Sequence, residues 1–305
     1  QMPSDRSDIS PQISDTRTFD WQVQGQKIAV QYNLAGEGTP VLLLPAMGAV
    51  STRAEMWPLA RQLQRRFHTI AVDWPGFGAV PRPPIRWQPA YYQAFLDDFC
   101  AHMFDGPVAV VAAGHSAAYV MQLAGHRPAA WSRIALIAPT WRGPLPTVLG
   151  FHRWLLALPR HLLQLPLLGE GLYRLSVMPT VLARMYRSHV YGNPDGVTQR
   201  LIAEKGLIAR QRFARYASAA FFTGALDAVH TRTEFLGLVD HLLVPLLAVC
   251  GSQTPTRSWQ EMAALCTRSD VLVNRVPGAL APHEEHPAPV SRAVVDFLLS
   301  GQSTL

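Results

Sequence analysis

The sequence has few cysteines and no unbroken apolar run of the ~20 residues that a membrane-spanning helix needs. Three cysteines among 305 residues are too few, and odd in number, for a disulfide framework. Residues 1–17 are polar and lack the apolar core of a signal peptide. We interpret them as a flexible tail and expect a protein of a reducing, cytoplasmic compartment.

Acidic side chains are scarce in the middle of the chain. Between Trp141 and Tyr216, eleven basic residues accompany three acidic ones, so this stretch carries +8 in a chain of +6. The basic residues lie among leucines and are not interleaved with a platform for base stacking, so we expect no nucleic-acid partner. The histidines lack the spacing of metal ligands, and the sequence indicates neither a metal nor a cofactor.

The stretch Val108–Ala124 changes its hydrophobic period from strand to helix. Val108 to Ala113 form a continuous apolar run, which is typical of a parallel strand buried on both faces. From Ala117 onward the apolar residues recur at helical spacing. We therefore expect Ser116, in the turn between, at the carboxyl end of the sheet, where open α/β sheets bind ligands.

Two motifs carry a resemblance to a known family. Residues 114–118, Gly-His-Ser-Ala-Ala, resemble the nucleophile elbow G-x-S-x-G of the α/β-hydrolase superfamily, with Ala118 in place of the last glycine. Residues 73–78 resemble the D-x-P-G-x-G loop common in the same superfamily. The resemblance implies that Ser116 is the nucleophile. The alternative is a serine in a tight turn of another Rossmann-like sheet.

The resemblance also implies an oxyanion hole made of backbone amides. One amide belongs to the residue after the nucleophile, here Ala117. The other comes from the loop after the third strand, which reads Pro-Ala-Met-Gly at residues 45–48 and offers the amide of Ala46 or Met47.

The base and the acid of the triad depart from the family pattern. The acid position after the strand Leu246–Cys250 is occupied by Thr254, and the alternative position one strand earlier has no carboxylate either. The histidine position falls on Leu280 or Ala281, depending on the direction of counting. His283 is the nearest imidazole and the candidate base, although a structural role at the start of the last helix is an equal alternative.

The order of elements predicts an α/β fold with a mostly parallel, doubly wound sheet of the hydrolase type and a helical cap. We assign residues 18–140 and 241–305 to the core and residues 141–240 to the cap. An opening hairpin is expected from Phe19–Val23 and Lys27–Asn33. Further strands are expected at Val41–Leu44, Thr69–Val72, Arg133–Ala138, Leu246–Cys250 and Val271–Val276.

The resemblance implies a serine hydrolase of the esterase or lipase type acting on an apolar ester. Activity should be slow, because loss of the orienting acid costs up to about 10⁴ in rate. The alternative is a degenerate member of the family that binds an apolar ligand or a partner protein.

The leucine-rich segment Phe151–Leu175 adds a hypothesis about the partner. Its interrupted, basic and amphipathic pattern favours helices that lie peripherally on a membrane. The alternative is that these leucines line the pocket and pack on the sheet. In both cases we expect a large apolar small molecule as substrate or ligand.

Overall fold

The computed structural model describes residues 15–149, 157–165 and 167–300. Its strands are, in chain order, β1 (Asp15–Val23), β2 (Gln26–Ala35), β3 (Thr39–Leu44), β4 (Phe67–Val72), β5 (Val108–Ala113), β6 (Trp131–Ile137), β7 (Leu246–Gly251) and β8 (Leu272–Val276). They form one sheet in the order β1-β2-β4-β3-β5-β6-β7-β8. The pairs β1–β2 and β2–β4 are antiparallel and the others are parallel, which confirms the predicted fold class.

The opening hairpin joins β1 and β2 through a two-residue turn. Gln24 and Gly25 have φ angles of 50° and 72°, the left-handed pair that a tight hairpin turn requires. The hairpin that the alternating sequence pattern predicted is therefore confirmed. Strand β1 begins at Asp15, however, so the predicted tail of residues 1–17 is wrong over its last three residues. The rest of that tail lies outside the described residues.

Helices cover both faces of the sheet. Those of the core are α1 (Trp57–Leu63), α2 (Pro89–Met103), α3 (Ser116–His126), α11 (Thr256–Cys266), α12 (Pro282–Glu285) and α13 (Pro287–Leu299), with a 3₁₀ turn at Arg53–Met56. The central strands are excluded from solvent: residues 41–44 of β3 and 110–113 of β5 are fully buried. This burial explains why both strands read as continuous apolar runs.

The described residues between β6 and β7 form helices joined by turns and loops, and no strand lies among them. The helices are α4 (Pro144–Leu149), α5 (Ala157–Gln164), α6 (Leu168–Ser176), α7 (Pro179–Met185), α8 (Gln199–Ala209), α9 (Arg215–Phe222) and α10 (Arg232–Asp240). A π-helical segment, Tyr186–Val190, and a 3₁₀ turn, Pro194–Gly196, lie between α7 and α8. We call residues 141–240 the cap.

Part of the predicted leucine-rich segment, residues 151–156 and 166, lies outside the described residues. Among the described helices, none combines the length and apolar character needed to cross a membrane.

Polar contacts hold the cap on the core. The buried guanidinium of Arg82 donates to the carbonyls of Gly78 and Ala49 in the core and of Ile208 in the cap, at 2.9 to 3.2 Å. Burial lowers the pKa of Arg82 below its ordinary value, although nearby Tyr173 and Asp73 oppose that effect. A buried cation that donates to carbonyls of both parts of the chain couples the cap to the core.

Candidate active site

The strained residue of the elbow is Gly114. It follows the last residue of β5 and has a φ of +54°, a backbone conformation that favours glycine. A Cβ at this position would lie 3.2 Å from the Cβ of Ala46 and 3.8 Å from the Oγ1 of Thr140. In an elbow, the residue after the strand in the strained conformation is the one whose side chain projects from the turn. Here that residue has no side chain.

Ser116 lies two residues further on, as the first residue of α3. It is fully buried, and its Oγ donates a 2.6 Å hydrogen bond to the carbonyl of Pro45. The indole Nε1 of Trp74 donates to the same Oγ at 2.8 Å. The prediction that this hydroxyl faces a pocket beneath the cap is wrong, because the turn begins two residues earlier than the motif suggests.

The predicted oxyanion amides are not free to act together. The Ala46 amide donates to Oε1 of Glu55 at 2.5 Å, and the Ala117 amide donates to the carbonyl of Gly114 at 3.3 Å. Met47 is buried at 3% exposure. With the elbow at Gly114, the amide that follows it belongs to His115 rather than Ala117.

The acid position holds a structural threonine. The Thr254 hydroxyl donates to the carbonyl of Gly251 at 2.7 Å and closes the turn after β7. The two candidate histidine positions are also occupied by backbone contacts: the amides of Leu280 and Ala281 both donate to the carbonyl of Val190 in the cap, at 3.0 and 3.2 Å. The residues at the elbow, the predicted acid position and the two candidate histidine positions are thus Gly114, Thr254, Leu280 and Ala281.

His283 belongs to a buried charged cluster. Its Nε2 lies 3.4 Å from Oε1 of Glu55, and neither ring nitrogen has a hydrogen-bond partner among the described residues. Beside it, Oε2 of Glu284 accepts a 2.7 Å hydrogen bond from the Lys205 ammonium of the cap. Ligand atoms of Glu55, His283 and Glu284 lie within 4.8 Å of one another, a set that could hold a metal ion. No ligand spacing in the sequence predicts this set, because Glu55 follows β3 and the other two residues follow β8.

Charge pairing sets the electrostatics of this cluster. Burial acts to raise the pKa of Glu284, but the Lys205 ammonium and His283 hold that pKa below its ordinary 4.5. Burial acts to lower the pKa of Lys205, but Glu284, Tyr186 and Glu55 raise it well above 10.5. Both groups are therefore charged at neutral pH, and Lys205 already neutralises one of the two carboxylates that a metal would need.

A second buried histidine, His115, contacts a carboxylate of the cap, and the sequence did not predict this contact. Nε2 of His115 lies 3.2 Å from Oδ1 of Asp227 and donates to the carbonyl of Leu226, also at 3.2 Å. The ring meets Phe221 edge-on, with 5.3 Å between centroids. Its Nδ1 has no partner among the described residues. No sequence signal links His115 to Asp227, because the cap folds back to bring them together.

A cavity in the described part of the chain lies between two core helices and is not lined by Gly114. It has a volume of about 290 Å³ and lies between α2 and α3, where Gln93, Asp97, Tyr119 and His126 are among its lining residues. A second cavity, beside the loop that follows β4, has only about 10 Å³.

Comparison with known proteins agrees with the fold. The family model described as "Alpha/beta hydrolase family" matches residues 41–293. The match covers most of the chain, and the chain belongs to that family. No curated protein sequence matches it.

Solved structures share the fold at low sequence identity. The serine hydrolase of carbazole degradation, CarC, is 19% identical, with 93% of this chain and 99% of that chain covered and a TM-score of 0.69. The epoxide hydrolase CorEH is 18% identical, with coverages of 94% and 99% and a TM-score of 0.69. The haloalkane dehalogenase DatA of Agrobacterium tumefaciens is 16% identical, with coverages of 94% and 97% and a TM-score of 0.68.

Proposed function

We propose that this chain is a member of the hydrolase family without covalent serine chemistry, and that it acts by binding an apolar partner. The observation that carries the proposal is the elbow at Gly114, where the projecting side chain is absent. Covalent catalysis needs a nucleophile beside a base. Ser116 instead donates its proton to the Pro45 carbonyl, which cannot accept it as a base.

The serine esterase that the sequence suggests would need a large rearrangement. Ser116 would have to break its bonds to Pro45 and Trp74 and leave a fully buried position. The Ala46 amide would also have to leave the carboxylate of Glu55. Loss of these three buried hydrogen bonds costs about 1 kcal/mol each. The buried donors and acceptors left without partners add to that cost.

Labelling with a fluorophosphonate probe tests the proposal. The expected result is no covalent adduct at Ser116 by mass spectrometry, with identical spectra for Ser116→Ala. The matched control is Ser291→Ala, which removes another buried serine on α13. An adduct that is lost in Ser116→Ala, retained in Ser291→Ala and accompanied by ester hydrolysis would overturn the proposal and restore the serine hydrolase.

One observation favours a second function, non-covalent acid–base catalysis. His283 is buried with both nitrogens unpaired among the described residues, and Glu55 lies close enough to orient it. A histidine held by a carboxylate can remove a proton from water or from an acidic C–H bond without a covalent intermediate. In this alternative His283 is the base, as the sequence suggested, but its partner is Glu55.

Turnover of p-nitrophenyl butyrate separates the two functions. Acid–base catalysis predicts that His283→Gln and Glu55→Gln lower kcat at least tenfold. Ser116→Ala and the control His286→Gln, at a partly exposed histidine, should leave kcat unchanged. The binding function predicts no turnover above that of buffer in any of these proteins.

A further inference from the structure

Three cap helices present an apolar stripe to solvent. Seven of the outward residues lie in α5, α6 and α7, where they recur every three or four positions on one side of each helix. The other three, Leu165, Leu167 and Met178, lie in the turns between these helices. The outward residues are between 37% and 90% exposed. They are Leu158, Leu162, Leu165, Leu167, Leu168, Leu172, Leu175, Met178, Val181 and Met185. We call them the outer patch. Helix α6 contacts both α5 and α7.

The outer patch is not needed for packing of the cap. Tyr173 of α6, Leu182 of α7 and the adjacent Val177 and Tyr186 are already buried, at 5% exposure or less. The Tyr173 hydroxyl also donates to the carbonyl of Ala209 at 2.8 Å. The outer patch thus leaves ten large apolar side chains in solvent. Exposed apolar surface of this kind marks an interaction site.

Charge around the outer patch identifies the partner. Residues 157–190 contain four arginines and one acidic residue, Glu170. Glu170 is already bound by Arg174 and Arg215. Arg184 and Arg187 are exposed and have no acidic partner among the described residues. A second copy of this chain would bring the same positive charge to the patch, whereas an anionic lipid surface complements it.

We propose that the outer patch lies in the interface of an anionic membrane, with its leucines among the acyl chains and its arginines at the headgroups. This inference rests on the proposed function, since it names the apolar partner as lipid. Each basic residue near an anionic surface contributes about 1 kcal/mol, roughly fivefold in partition. A buried leucine side chain contributes at least as much.

Co-sedimentation of the full chain with vesicles tests the proposal. The vesicles are phosphatidylcholine alone or phosphatidylcholine with 30% phosphatidylserine, each at two salt concentrations. We expect binding to the anionic vesicles that weakens as salt rises. The pair Leu167→Ser and Leu175→Ser should lower the partition about tenfold or more, and the pair Arg184→Gln and Arg187→Gln should lower it on anionic vesicles alone.

The matched control is Leu243→Ser, which removes an 83% exposed leucine outside the cap and should bind like the unchanged protein. No binding to either vesicle would overturn the membrane proposal. So would dimerisation that the two leucine changes abolish, because it would assign the patch to a second copy. Neither outcome bears on Ser116 labelling, so failure of this inference is distinct from failure of the proposed function.

Discussion

The Lys205 ammonium of the cap donates a 2.7 Å hydrogen bond to Oε2 of Glu284 in the short helix α12 of the core. Both side chains are nearly excluded from solvent, at 8% and 13% exposure. The next residue, Glu285, accepts hydrogen bonds from the amides of Gly192 and Asn193, also in the cap. The loop that carries the histidine in a hydrolase is here an anchor for the cap.

Loss of one member of this pair should destabilise the protein strongly. Lys205→Met leaves the Glu284 carboxylate buried without its counter-ion, which costs about 3–5 kcal/mol. The double variant Lys205→Met and Glu284→Gln should recover much of that loss, since no uncompensated charge remains. Urea denaturation measures both. As a control, Arg200→Ala breaks an exposed pair on the same cap helix and should change the midpoint far less. Equal losses in the single and double variants would contradict the pairing.

Stability should fall in acid partly through Glu284. Its pKa is lower in the folded protein than the ordinary 4.5, because the effects of Lys205 and His283 exceed that of burial. A depressed carboxyl pKa contributes stability that is present above pH 4.5 and is lost as pH falls through the folded value. The free energy of unfolding of Glu284→Gln should therefore approach that of the unchanged protein as pH falls below about 4.5. A difference that is constant from pH 7 to pH 3 would argue against this coupling.

A side chain at Gly114 should be tolerated poorly. Gly114→Ala forces a Cβ into the left-handed conformation and to within 3.2 Å of the Ala46 Cβ. We expect a loss of about 1–3 kcal/mol. Gly125→Ala is the matched control, because Gly125 lies in the helix that follows and its added Cβ would meet no atom within 4 Å. It should stabilise the protein by up to about 1 kcal/mol. Thermal unfolding compares them, and an unchanged Tm in Gly114→Ala would refute the assignment of the elbow.

Cys250 and Cys266 should form a disulfide under oxidising conditions. Their sulfur atoms lie 3.2 Å apart, on β7 and α11. The hydrogen bond from the Cys250 thiol lowers the pKa of Cys266, which makes Cys266 the attacking thiolate toward oxidised glutathione. Cys250 then displaces the bound glutathione, so that two protein thiols are oxidised and two glutathione thiols are released.

Peptide mass mapping detects this disulfide. Cys266→Ala should abolish the cross-link, and Cys100→Ala should retain it. Burial raises the pKa of Cys100 to about 12, so this thiol should remain unmodified. Modification of Cys100 before the other two would contradict the expectation.

The sequence alone determined the sheet and the location of the elbow to within two residues. The run Val108–Ala113 is apolar because both faces of β5 are buried, and the end of that run already indicated Gly114 as the first residue of the turn. The motif Gly-His-Ser nevertheless pointed to Ser116, since it matches residue types and contains no information on φ. Only the folded backbone shows that Gly114, and not His115 or Ser116, adopts the left-handed conformation.

Tertiary structure alone decided which charged groups meet and which leucines remain outside. Glu55 reaches His283, and Lys205 reaches Glu284, because the cap and the loop after β8 close over the loop after β3. Such contacts depend on chain packing between distant segments and leave no periodic signal in the sequence. The leucine pattern of the cap predicted amphipathic helices, but a helix with apolar residues on two sides has two possible orientations. Packing around Tyr173 and Tyr186 turned one side inward and left the outer patch exposed.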